Sequence, residues 1–198
     1  MSAEQDSGDG RCGASKAVPL NNAPTDMDEI GKARMNHHDN SQQHFAHFQA
    51  LLASQGVRES LKYLVGLTDY RFIAIWRFQD GRANAAVYCD RENPDATQVT
   101  EVADTATYCC YVRDQRGVFM TAHALLDPRT EGHPAREAVP AYCGVPVMNA
   151  EGAIFGTLCL YDLVPRDPEQ VDLALMLQVA SALAEGGHVP PYPLAPAV

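Results

Sequence analysis

The chain has 198 residues, 46% of them apolar, and carries 15 Lys and Arg against 25 Asp and Glu, a formal charge of -10. That length suits one core with tails rather than two domains, and the acidic balance repels phosphate backbones and anionic lipid, which argues against direct nucleic-acid or membrane-surface binding. Neither a secretory leader nor a run of about 18 apolar residues is present, so a soluble cytoplasmic protein is expected; the cysteines follow neither a disulfide framework nor a CxxC metal spacing.

Residues 1 to about 25 are rich in Ser, Gly, Asp, Asn and Pro and read as a tail, with a weak helical stretch up to Asn40. From Ser41, Phe45, Phe48 and Leu52 recur at helical spacing. Gly56 breaks this helix, and a second runs from Val57 through Leu61, Leu64 and Val65 to near Thr68 and Asp69. Arg71 to Gln79 alternates Phe72, Ala74, Trp76 and Phe78 with Ile73 and Ile75, the pattern of an inner strand covered on both faces. Asp80-Gly81 predicts a tight hairpin to a partner strand over Ala83 to Tyr88.

After Asn93-Pro94 the pattern weakens. Asp104 is the expected N-cap of a short helix carrying Tyr108, Tyr111 and Val112. Val118 to Thr121 reads as a short strand, and Leu125 to Val139 as a loop punctuated by Pro128, Gly132 and Pro134. Tyr142 to Tyr161 then forms a hairpin at the centre of the sheet, turning at Asn149-Ala150-Glu151-Gly152. Gly156 inside the second strand implies close approach by a helix or a ligand. Asp167, Pro168 and Gln170 mark the start of the last helix, and Gly186-Gly187 its end. Its apolar residues fall in two stripes, Val171, Leu175, Val179 and Leu183 beside Leu173, Leu177 and Ala180. The second stripe needs a cover, from the helix at Ser41 or from a second copy, and the two together, as a bundle across a symmetric dimer, are the expected arrangement. From His188 the chain is Pro-rich and expected to be extended.

The motif Tyr142-Cys143-Gly144-Val145-Pro146, followed by Gly152, Phe155-Gly156-Thr157-Leu158-Cys159, Asp162 and Pro165-Arg166, resembles the last two strands of a GAF domain, with similarity from about Val57 to about Glu185. The resemblance implies an α/β (α+β) fold: a central antiparallel sheet, helices from both ends on one face, and a ligand pocket under the 104 to 141 segment on the other. It implies a domain over 41–187 flanked by tails at 1–40 and 188–198. It further implies a small-molecule sensor of signal transduction; with the surplus stripe of the last helix, a homodimer is expected that passes its ligand state to a separate signalling protein.

The candidate ligand-binding residues are Trp76, Tyr108, Cys109, Tyr111, Asp127, Arg129, His133, Tyr142 and Cys143. Arg129 and His133 offer donors to an anionic or carbonyl-bearing ligand, and Tyr108 and Tyr142 offer flat walls with polar tips. Asp127-Pro128-Arg129 reads equally well as a turn holding a solvated ion pair. Cys143 is expected to face the region of His133, and Cys159 to be inert in an inner strand. Cys109-Cys110 is expected to pack as small apolar groups, with a thiol-dependent reductase as the rival function and a ligand-free dimerisation module as a third. One GAF branch reduces free methionine sulfoxide with cysteines in the loops before the fourth strand; here only Cys109, Cys110 and Cys143 could substitute. Bilin attachment expects Cys before His, where this chain has Gly132 before His133, and the cyclic-nucleotide signature has no full counterpart. No particular cofactor is indicated. His37, His38, His44 and His47 read as solvated rather than metal-binding, and His123 or His133 as a conceivable haem ligand.

Overall fold

In a computed structural model, residues 27–96 and 101–192 are described, with side chains from Asn40 onward. The expected tail over 1–25, Cys12, the side chains of His37 and His38, and the end of the Pro-rich segment lie outside the described residues. The account below concerns the unit that begins at His37.

Six antiparallel strands form one sheet: β1 (Phe72–Gln79), β2 (Arg82–Asp90), β3 (Val102–Ala103), β4 (Phe119–Thr121), β5 (Ala141–Met148) and β6 (Ile154–Asp162), in the order β3-β2-β1-β6-β5-β4. Four α-helices accompany them: α1 (Met27–Gln55), α2 (Val57–Gly66), α3 (Cys109–Asp114) and α4 (Leu173–Glu185). Helix α1 runs without a break through Ser41, where the sequence suggested a separate start. Gly56, at φ 84°, divides it from α2, and α2 closes at Gly66, a little before the expected Thr68.

Alternation in β1 sorts its residues between two cores as expected. Ile73 and Ile75 join Phe48 of α1, Leu61 and Leu64 of α2, and Leu175, Val179 and Leu183 of α4 in the larger cluster. Ala74, Trp76 and Phe78 join Tyr108, Val112, Phe119 and Tyr142 in the smaller one on the opposite face. Asp80 and Gly81, at φ 49° and 73°, make the two-residue turn between β1 and β2. Gly152, at φ 75°, closes the β5–β6 turn, where Asn149 Oδ1 accepts from Ala153 N at 2.7 Å.

Three expectations are corrected. What comes close to Gly156 is the neighbouring strand: a Cβ there would press on the Trp76 carbonyl of β1, so β1 demands the glycine. Asp104 opens a 3-10 turn and pairs with Arg113, whereas α3 begins five residues later, at Cys109 behind Tyr108. Asp167 likewise caps only a 3-10 turn, accepting from Glu169 N, and Asp172 caps α4 by accepting from Leu175 N at 3.0 Å. The first residues of the Pro-rich segment carry no helix or strand and are anchored to the domain: Val189 is buried, Pro190 O accepts from Arg77 Nη1 at 3.2 Å, and Tyr192 Oη donates to Glu101.

The second stripe of α4 is mostly covered within the chain. Ala180 is buried and Leu173 half-buried, leaving Leu177 42% exposed. The resemblance motif earns its Asp162 structurally: this buried carboxylate accepts from Arg71 N at 3.0 Å, Leu163 N at 2.7 Å and Arg166 Nε at 2.7 Å, tying the end of β6 to the start of β1. Among the described residues no helix is long and apolar enough to cross a membrane.

Candidate functional site

On the face of the sheet away from α1 and α4, a cavity of about 190 Å³ lies under the cap that runs from α3 to β5. Its floor is the sheet: Trp76 of β1, Tyr142 of β5, and Cys159 and Tyr161 of β6. Strand register puts them together, because Tyr142 stands opposite Tyr161, Gly144 opposite Cys159, and Trp76 opposite Thr157, and residues paired across strands share a face. One wall is Ala106 to Cys109, leading into α3; the other is Ala135 and Val139 of the cap.

Tyr142 reaches the cavity by lying along its own strand. A Cβ on Gly144 would collide with the Tyr142 ring, so the Tyr-Cys-Gly triplet is what lets the ring fold over the backbone. Its hydroxyl then donates to Cys109 Sγ at 3.3 Å. Burial raises the Cys109 thiol, but hydrogen bonding from Cys159 and from neighbouring hydroxyls outweighs it and brings the group down to about 7. Burial pushes Cys159 well above its ordinary value, and Tyr142 likewise, so Cys109 is the thiol that ionises first.

Behind that wall sits an aromatic layer. Tyr108 contacts His133 at 4.5 Å between centroids, Tyr142 at 5.6 Å and Phe119 at 5.9 Å; Tyr111 contacts Phe119 at 4.7 Å and His133 at 5.1 Å. His133 Nδ1 accepts from Ala135 N at 3.1 Å, so in the neutral ring the proton resides on Nε2, 3.6 Å from Cys110 Sγ. Burial lowers the His133 pKa and raises Cys110 to about 11, which keeps both neutral near pH 7.

The cap closes on itself. Thr130, fully buried, donates to Ala124 O at 2.6 Å, and Arg136 Nη2 donates to Leu125 O at 2.9 Å. Arg129 grips Asp127 through Nε–Oδ1 at 2.9 Å and Nη2–Oδ2 at 2.6 Å, donates to Met120 O, and lies over the Phe119 ring. Hydrogen bonding from Arg129 holds the Asp127 carboxyl down at about 2.

Of the nine candidate residues, Trp76, Tyr108, Cys109 and Tyr142 line the cavity. Tyr111 and His133 back it, and Asp127 and Arg129 pair with each other outside its lining. Cys143 is corrected: it is buried in the opposite core with Ile73, Val145 and Leu160, because neighbours along a strand point to opposite faces and Tyr142 already takes the cavity side. Cys159, expected to be inert, has a thiol that burial holds well above its ordinary value, yet it lines the cavity, and Cys110 is the thiol beside His133. Sequence reading missed Thr107, Ala135, Val139 and Tyr161; for Cys159 and Tyr161 the two-residue period shared with Tyr142 across the hairpin was the available signal.

A haem does not fit, since the cavity is small for a macrocycle and His133 is enclosed by tyrosines. His44 Nδ1 meets Tyr63 Oη at 2.6 Å and the His47 ring lies 4.4 Å from that of Tyr63; among the described residues no group of three or more His, Cys, Asp or Glu could hold a metal.

Comparison with known proteins agrees with this architecture. The GAF domain of an Acinetobacter phosphoenolpyruvate-protein phosphotransferase superposes with a TM-score of 0.58 at 12% identity, over 73% of this chain and 90% of that one. A free methionine-R-sulfoxide reductase from Neisseria meningitidis, in complex with its substrate, gives 0.58 at 12% identity over 73% and 86%. In sequence, 74 residues are 38% identical to a cyclic di-GMP phosphodiesterase of Pseudomonas aeruginosa, a stretch covering 35% of this chain and 13% of that protein. With the GAF domain family matching residues 53–186, on a six-stranded sheet that has helices on one face and a capped cavity on the other, this chain belongs to the GAF domain family, a small-molecule sensor fold of signalling proteins.

Proposed function

We propose that the chain senses a small molecule held in the cavity between the sheet and the 104–139 cap, and that the occupied state is passed to a separate signalling partner through a homodimer. One observation carries this reading: the cavity wall is drawn from the sheet, from α3 and from the cap, so a single ligand would contact all three and fix the cap against the sheet. The same strands carry α1, α2 and α4 on their other face, which gives a change in the cap a route to the helices. The test is native mass spectrometry of freshly purified protein beside amide exchange. A bound mass whose removal speeds exchange across 104–139 supports the reading; a protein whose cap exchanges identically with every candidate ligand present or absent sinks it.

A thiol-dependent reductase is the second reading, favoured by the Cys109 thiol in the cavity wall with Tyr142 donating to it. Such a reaction would take the oxygen of a sulfoxide to water while two thiols close to a disulfide. Replacing Cys109 and Cys110 together by Ser separates the two: a sensor still binds its ligand, and a reductase loses turnover altogether.

A further inference from the structure

The geometry points to an uncharged, flat, largely apolar ligand, the size of one aromatic ring with a small substituent, as the occupant of the cavity over Trp76. This inference rests on the sensor reading of the same cavity. The first ground is charge. No carboxylate, guanidinium, ammonium or imidazole side chain lines the wall, whose side-chain polar atoms are hydroxyls, thiols and the Trp76 indole nitrogen, with the Tyr142 hydroxyl already donated to Cys109. The cap arginines that could have met an anion are engaged elsewhere: Arg129 with Asp127 and Met120 O, Arg136 with the carbonyls of Ala124 and Leu125, Arg113 with Asp104 and Asp114. An anionic ligand entering here would lose its hydration without gaining a counter-charge.

The second ground is size and shape. An apolar cavity of about 150 Å³ takes up benzene, and this one measures about 190 Å³. That space suits a substituted single ring and is small for a nucleotide or a tetrapyrrole. Its lining includes the rings of Trp76, Tyr108, Tyr142 and Tyr161, which favour offset or edge contacts with another ring.

Acetophenone and benzoate make a matched pair of probes, each one ring bearing a trigonal carbon, differing in charge. Both are titrated calorimetrically into the whole protein at neutral pH, with Trp76, the single tryptophan of the chain, as a fluorescence reporter inside the wall. The expected result is saturable acetophenone binding that perturbs Trp76 emission, with benzoate at least about tenfold weaker. Ala135→Phe, or Val139→Phe from the neighbouring position should the first variant not fold, fills the cavity and removes the acetophenone signal. Benzoate binding as tightly as acetophenone overturns the inference and leaves the sensor reading standing. Acetophenone binding that survives a folded cavity-filling variant overturns it by locating the ligand elsewhere. Failure of both probes to bind overturns the inference and counts against the sensor reading of this cavity as well.

Discussion

Asp127 and Arg129 illustrate how a residue pair can be legible in type and misread in purpose. The sequence offered them as a ligand contact or as a turn with an ion pair, and the structure has them bound to each other, with Arg129 60% exposed and Asp127 mostly covered. Because the folded Asp127 carboxyl titrates at about 2, below its value in an unfolded chain, it contributes stability that is present above roughly pH 4 and is lost as the pH falls toward 2. Asp127→Asn should flatten the stability curve across that window. Its cost at neutral pH should stay under about 1 kcal/mol, since the guanidinium is solvated; urea midpoints measured from neutral to acid pH check both statements. Tyr142 and Cys143 carry a plainer lesson. Adjacent strand residues cannot both face one cavity, so one of the two assignments had to fail, and Cys159, two strand positions from Tyr161, inherited the place.

At the scale of elements, caps and glycines decide where each piece begins and how closely its neighbours approach. Asp172, rather than Asp167, caps the first turn of α4, its carboxylate accepting from Leu175 N. Asp172→Ala should therefore cost about 1 kcal/mol, and Asp167→Ala only a few tenths, as the latter loosens a single 3-10 turn; denaturant unfolding of the two variants side by side distinguishes them. Gly156 and Gly66 make an opposed pair. A Cβ at Gly156 would press on the Trp76 carbonyl, so Gly156→Ala should destabilise by about 2 kcal/mol. At Gly66, in the last turn of α2, a Cβ meets nothing, and Gly66→Ala should gain a few tenths of a kcal/mol. Thermal unfolding should move in opposite directions for the two. Elements built on strong local signals, the Asp80-Gly81 hairpin, the two-faced β1 and the β5–β6 hairpin, were legible because their signals are carried by neighbouring residues. The two-residue β3 and the start of α3 were not, because pairing across the sheet and packing of Tyr108 set them.

For the whole molecule, the open question posed by the sequence was what covers α4. Phe48 of α1 and the strands account for most of it, and Leu177 is left as the exposed member. If the homodimer forms there, Leu177→Glu should yield a monomer by sedimentation while the folded domain loses less than about 0.5 kcal/mol; a dimer that persists moves the interface elsewhere. The sequence by itself determined the family, the two-faced sheet, the hairpin turns and the aromatic and thiol character of the segment around Tyr108. The family is read from the motif between Tyr142 and Arg166, and the rest from periodicity, turn glycines and local composition, which act over a few residues. Only the tertiary structure decided which thiol faces the cavity, that the cap arginines are paired within the cap, and that the chain around Pro190 is held against Arg77 and Glu101. Those outcomes depend on register between strands far apart in sequence and on competition among partners for each charge, and neither is written in any one stretch of chain.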